Sequence, residues 1–181
     1  MHEIAQVYMM AFDILQLILF ILPAYIANAV PVLLGGGTYL DLGKNWNDGG
    51  RIFGDGKTIR GFIAGVVAGF LAGIVLAFFA PSVFFASMRN QILGAFALSF
   101  GTMFGDAAGS FVKRRMKIEP GKPFILDQLS FLAFALVFVA PLSLPYLFEP
   151  VSIGFLFVLT YVLHIGTNTL ANKLGLKKVP W

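Results

Sequence analysis

Long apolar runs, separated by two polar and glycine-dense stretches, set the pattern along this chain. Runs long enough to cross hydrocarbon, which takes about 20 residues, lie at roughly 11–34, 61–80, 91–112, 129–147 and 151–171. They are continuous and do not alternate, so they predict helices and disfavour a closed β-barrel. The expected fold is all-α: one transmembrane domain over 1–181, with five transmembrane helices and two long loops at about 35–60 and 113–128.

Composition strengthens that expectation. Of the 181 residues, 58% are hydrophobic and 12% charged, too few charges to cover the surface of a water-soluble domain. The 13 Lys and Arg are unevenly placed: four fall between Lys44 and Arg60, five between Lys113 and Lys122, three between Lys173 and Lys178, and only Arg89 lies elsewhere. The positive-inside rule then puts both long loops and the C-terminus in the cytoplasm and the N-terminus outside, in a multi-pass protein of the cell membrane. The net charge of +4 reads as this asymmetry plus attraction to anionic headgroups, with no nucleic acid implied. No Lys or Arg precedes Lys44, so the basic leader of a cleaved signal peptide is missing and the first helix is expected to remain. Without cysteine there is no disulfide and no thiol chemistry.

The most informative stretch runs from Gly101 to Gln128. If the third helix continues to about Arg115, then Asp106, Ser110 and Lys113 share one stripe, and Gly101, Gly105 and Gly109 form a neighbouring stripe that a second helix can approach closely. A carboxylate near hydrocarbon costs about 2.5–3.5 kcal/mol on insertion scales, so Asp106 needs a cation or a metal beside it. Pairing with Lys113 or Arg114 as a helix-end anchor is the simpler alternative. Asp127 opens the fourth helix, where it suits either the helix dipole or a second metal-ligand position.

The first loop carries the other signal. Its glycines allow backbone N–H groups to approach an anion, and the next helix begins near Thr58, where its dipole would meet phosphate. Gly54, Gly56, Lys57, Thr58 and Arg60 thus read as a phosphate cradle, with a solvated, topology-setting loop as the rival reading. A P-loop is excluded, because Arg51 stands where that motif requires glycine. Gly61, Gly65, Gly69 and Gly73 repeat at one-turn intervals, which predicts close packing of the second helix against the third helix's ladder or a shared neighbour. Asn28 and Pro31 predict either a kink in the first helix or the edge of a substrate cleft. His164, Asn168 and Asn172 form a polar stripe on the last span, assigned to hydrogen bonding between helices ahead of ligand contact.

Gly105-Asp106, then Ser110-x-x-Lys113-Arg114-Arg115, then Lys122 and Leu126-Asp127, resemble the signature region of membrane CTP:phosphatidate cytidylyltransferases. The short five-span layout, with Asn28-x-x-Pro31 and Gly54-Asp55-Gly56-Lys57-Thr58, is similar to the archaeal branch, the CDP-archaeol synthases. Leu126-Asp127-Gln128 stands where the bacterial pattern has Leu-Asp-Arg. The resemblance implies a reaction of Mg-CTP with an isoprenoid glycerol phosphate lipid, giving a CDP-lipid and pyrophosphate. On that reading Asp106 and Asp127 hold Mg²⁺, and Lys57, Thr58 and Arg60 hold the triphosphate within the segment Phe53, Gly54, Asp55 and Gly56, with Phe53 against cytosine. Lys113 and Lys122 stand by the reacting phosphates, Arg114 and Arg115 with Ser110 receive the lipid phosphate, and Asn28 and Pro31 shape the cleft. The alternative is a transporter for an anionic solute, its cations lining a pathway; against it stand the missing inverted repeat and the concentration of polar residues on one side.

Overall fold

In the computed structural model, residues 2–81, 84–118, 122 and 124–175 are described, apart from the side chains of 2–13, 127 and 128. The elements in chain order are α1 (His2–Leu34), α2 (Ile59–Phe79), α3 (Met88–Arg115), α4 (Ile125–Val139), a 3₁₀ turn (Pro145–Phe148) and α5 (Pro150–Lys173). No β-strand occurs among the described residues, only isolated bridges such as Tyr39 with Thr58.

Among the described residues, four helical segments are long and apolar enough to cross a membrane: Ile14–Leu34 of α1, α2, α3 and α5. The fourth apolar run departs from expectation. A helix over 129–147 was predicted, but α4 ends at Val139 and Pro145 opens the separate 3₁₀ turn. Pro141 cannot donate into a continuing ladder, and 15 residues of helix rise only about 22 Å against a hydrocarbon core of about 30 Å.

The glycine ladders are seams, though they do not face one another. A Cβ on Gly65 would lie 2.7 Å from the Ala27 carbonyl oxygen and 2.5 Å from Met103 Sδ, and one on Gly73 would lie 2.3 Å from Ala95 Cβ. The α2 ladder is thus wedged between α1 and α3. The α3 ladder meets α4 instead: a Cβ on Gly105 would lie 2.5 Å from the Ser130 carbonyl oxygen. Helix α3 is therefore the axis of the bundle, with α2 on one flank and α4 on the other. Pro31 removes the amide that Ala27 O would have accepted from, and that carbonyl borders the Gly65 contact. The apolar core gathers Phe20, Ile21, Leu98, Phe131, Leu132, Val139, Leu147 and Leu156, all essentially buried. α5 is tied to α1 by a 2.8 Å hydrogen bond between the Tyr25 and Thr160 hydroxyls.

Candidate active site

The first loop is organised by a carboxylate that sequence reasoning did not single out. The Asp41 side chain is fully buried and accepts from Arg51 Nε at 3.2 Å and from the backbone N–H groups of Gly43, Phe53 and Gly54 at 3.0, 3.0 and 3.1 Å; Arg51 also reaches its other oxygen. Burial alone would push this carboxyl up, but the Arg51 guanidinium and the three amides together hold it well below the usual carboxylate range. Arg51 bridges onward to Asp55 at 2.6 Å and lies 4.8 Å over the Tyr39 ring. Gly54 takes φ +87°, a left-handed conformation suited to glycine, while its amide is held on Asp41. The available signal was the Asp-x-Gly spacing of Asp41 to Gly43 and of Asp48 to Gly50, since in both the carboxylate accepts from the amide two residues on.

The neck of the loop is closed by short backbone bonds, Leu40 N to Lys57 O at 2.8 Å and Ile59 N to Thr38 O at 3.0 Å. Thr58 caps α2 by accepting from Gly61 N at 3.1 Å, and the same hydroxyl accepts from Gly36 N at 3.2 Å. At the far side, Arg115 donates to Asp48 and to the Gly50 and Arg51 carbonyls, and the Trp46 ring meets Phe111 edge-on at 5.2 Å. These contacts dock the loop on the last turns of α3.

Docking brings Lys57 onto Asp106. Its Nζ donates to both carboxylate oxygens, at 2.7 and 2.6 Å, in a partly buried pair. The partner of Asp106 is thus a cation from the first loop, in place of the Lys113 or Arg114 that the helix-anchor reading supposed. Buried Lys113, two turns along α3, donates to the Lys122 carbonyl at 2.7 Å, and Arg114 donates to the Ile118 carbonyl at 3.2 Å. Both bonds shape the turn leaving α3.

A cavity of about 790 Å³ opens over this pair. Of the residues singled out in the sequence, Asn28, Pro31, Phe53, Gly54, Asp55, Gly56, Lys57, Thr58, Asp106, Ser110, Lys113, Arg114 and Lys122 line it. Arg60 and Arg115 do not. Arg60 is exposed on the first turn of α2, and Arg115 is held by loop carbonyls and Asp48, so in this structure it fastens the loop. Asp127 lies in the first turn of α4, and its side chain is outside the described residues. Two residues assigned to helix contacts, His164 and Asn168, also line the cavity, as does Arg51. Among the described residues no three His, Cys, Asp or Glu side chains converge as a metal cluster.

A helical bundle of membrane-crossing length, with a cation-rich cavity in which a lysine of a glycine-rich loop pairs with a carboxylate of α3, defines a helical membrane protein with a polar site at one end of its bundle. Residues 9–181 match the family model described as CarS-like, CDP-archaeol synthase, and the chain belongs to that family. It is 48% identical over 166 residues to the CDP-archaeol synthase of Thermococcus gammatolerans, covering 90% of this chain and 93% of that one. It is 48% identical over 170 residues to that of Pyrococcus horikoshii, covering 93% and 98%. A solved structure described as an intramembrane enzyme for archaeal membrane lipid biosynthesis superimposes with a TM-score of 0.75 at 39% identity, covering 85% of this chain and 93% of that one.

Proposed function

We propose that this protein is a membrane cytidylyltransferase that joins CTP to 2,3-bis-O-(geranylgeranyl)glycerol 1-phosphate, releasing pyrophosphate and the CDP-linked lipid. Membership of the CDP-archaeol synthase family supports the reaction class. The single observation that carries the site is the Lys57–Asp106 pair in the cavity, which joins the glycine-rich loop to the polar stripe of α3. Nothing in the relatives or the cavity supports the transport alternative. α4 completes five spans, despite its length, with the N-terminus outside and the cavity facing the cytoplasm of the cell membrane, where CTP resides.

The chemistry asks little of a general base. A phosphate monoester has a second pKa near 6, so the lipid phosphate is already largely dianionic at neutral pH. Its oxygen attacks the α-phosphorus of CTP, one P–O bond forms, and the bond to the bridging oxygen of the β-phosphate breaks as pyrophosphate leaves. The protein's tasks are to screen two approaching anions, align them and neutralise charge on the leaving group. Lys57, Thr58 and the Asp55–Gly56 backbone hold the triphosphate, with Gly54 turning the chain toward it and Phe53 near the base. Lys113 and Lys122 stand by the reacting phosphates, and Ser110 and Arg114 receive the lipid phosphate.

The donor set fits Mg²⁺, which commonly takes only one or two carboxylates and completes its shell with phosphate oxygens and water. Asp106 would hold it, with Asp127 as the second carboxylate. When bound, the metal supplies charge neutralisation on the phosphates. Purified protein incubated with radiolabelled CTP and the lipid phosphate tests the reading: label in the organic phase with stoichiometric pyrophosphate supports it, and label remaining wholly in nucleotide overturns it.

A further inference from the structure

The outer face of α3 carries a stripe of aromatic rings. Phe96, Phe100, Phe104 and Phe111 fall at i, i+4, i+8 and i+15, within about 80° of one another at about 100° per residue and about 120° round the helix from Asp106, Ser110 and Lys113. Phe100 stacks on Phe96 and Phe104 at 5.8 and 6.4 Å. Phe62 of α2 meets the stripe edge-on from one flank, and Phe134 of α4 packs on Phe104 from the other. Phe96 and Phe104 remain 47% and 43% exposed, so on a helix long and apolar enough to cross a membrane this face looks into lipid.

The stripe ends against the glycine-rich loop. Trp46, 47% exposed, sets its ring edge-on to Phe111 at 5.2 Å, and the Arg115 guanidinium lies 5.2 Å over the same Phe111 ring. Phe111 comes just before the basic last turn of α3, Lys113 to Arg115, and such a turn marks the level of the headgroups. Trp46 therefore stands at the depth where aromatic belts form. Its backbone is fixed there: its N–H donates to the Gly50 carbonyl at 2.8 Å, and its carbonyl accepts from Gly49 N at 2.9 Å. Lys44, two residues away, is exposed.

We propose that the rim of this loop is a bilayer anchor: Trp46 lies in the boundary between headgroups and acyl chains, continuing the lipid-facing stripe of α3, with Lys44 among anionic headgroups. Two observations select lipid as the partner. The exposed face of Trp46 is continuous with a surface that already faces hydrocarbon, and the charge beside it is a cation, which an anionic leaflet attracts. An indole suits that depth, since its ring meets acyl carbon while its N–H points toward headgroups and water. The anchor does not depend on the cytidylyltransferase reading. It changes what the loop is, from a solvated connection to a segment held between α3 and lipid at its rim while its neck carries Lys57 to Asp106.

The test uses the full chain with Trp181→Phe, which leaves Trp46 as its one tryptophan, in nanodiscs of phosphatidylcholine and phosphatidylglycerol. The acyl chains are brominated either near the carbonyl end or near the methyl end. Trp46 should lose the greater part of its emission to bromine near the carbonyl end and much less to bromine near the methyl end, as a side chain seated at the headgroup–acyl boundary would. Emission unchanged by either lipid overturns the anchor, and is the result for an indole facing water or covered by a second copy or another protein. Stronger quenching from the methyl end overturns it as well. A second measurement does not need Trp181→Phe to fold: Trp46→Cys in this cysteine-free chain, carrying a nitroxide, reports collisions with dissolved oxygen and with a water-soluble nickel chelate. Dominant collision with oxygen supports the anchor, and dominant collision with the chelate overturns it.

Discussion

Lys57 and Asp106, 49 positions apart in the chain, meet through both carboxylate oxygens and so fasten the glycine-rich loop to the start of α3's polar stripe. Two charged groups half withdrawn from water stabilise each other here, and removing either leaves the other without compensation. On the proposed reading a triphosphate draws the ammonium and a divalent cation draws the carboxylate, so substrate replaces an internal pair. The site then needs no ordering of either side chain from solvent.

Removal of one partner should therefore damage turnover as well as stability. Lys57→Met and Asp106→Asn are each expected to lower kcat/KM by at least about 100-fold, roughly 2.7 kcal/mol. The double variant should fall little below the worse single, because the two act as a unit. Steady-state kinetics on the three proteins decide it, and full additivity would show that the residues act separately.

Metal dependence has its own measurement. Chelation with EDTA should abolish CDP-lipid formation and millimolar Mg²⁺ should restore it, while Asp106→Asn should shift the Mg²⁺ concentration for half-maximal activity upward several-fold. Unchanged activity in EDTA would remove the cation from the reaction.

Asp41 is expected to matter through the loop it holds. Asp41→Ala leaves Arg51 and three backbone amides without their acceptor and should raise the KM for CTP about tenfold or more, with a weaker effect on the lipid KM. The pH behaviour follows from its lowered pKa. A carboxyl depressed by folding contributes stability above its unfolded value, near 4, and that contribution is lost only as pH falls through the lower folded value. The loop's contribution to stability should thus stay level from pH 8 down to about 5 and fall only in stronger acid, as thermal midpoints of wild type and Asp41→Asn compared across that range would read.

The helix seams make a sharper structural prediction. Gly65→Leu or Gly73→Leu would drive a side chain into Met103 and Ala27, or into Ala95, and should cost several kcal/mol or prevent folding. Gly154→Ala and Gly166→Ala meet nothing within 4 Å and should leave the thermal midpoint in detergent unchanged or slightly raised.

Arg115 and Arg114 are neighbours with different expected phenotypes. Arg115→Gln should lower the thermal midpoint by a few degrees through loss of its bonds to Asp48 and the Gly50 and Arg51 carbonyls, about 1–2 kcal/mol given its partial exposure. Arg114→Gln, which gives up one bond to the Ile118 carbonyl, should lower the midpoint less than Arg115→Gln and raise the lipid KM. Thermal scans and kinetics on the same preparations distinguish them.

Much of this arrangement was legible in the residues, and the misses have physical causes. The spacing of Asp106, Ser110 and Lys113 follows helical periodicity, and all three line the cavity. The glycine ladders announced close packing, but a ladder shows only that something approaches, so their separate partners were hidden. The choice of Lys57 as Asp106's partner is a tertiary event, since it depends on loop docking through Arg115 and Trp46. Asp41 looked like one of several loop carboxylates because burial cannot be read from a polar, glycine-dense stretch. The early end of α4 was written in Pro141 and Pro145, but hydropathy outweighed them. His164 and Asn168 were read as interhelical because their stripe lies on a membrane helix, where such bonding is common.

The closed neck formed by Thr38, Leu40, Lys57 and Ile59 makes residues 40–57 a ring whose two ends are anchored independently of its rim. A fluorophore placed at exposed Asn47 would therefore ride on the rim without disturbing the start of α2, and its emission could follow ligand arrival in real time. The same anchoring suits the ring to exchange between relatives as one piece, provided its α3 partners Phe111 and Arg115 go with it.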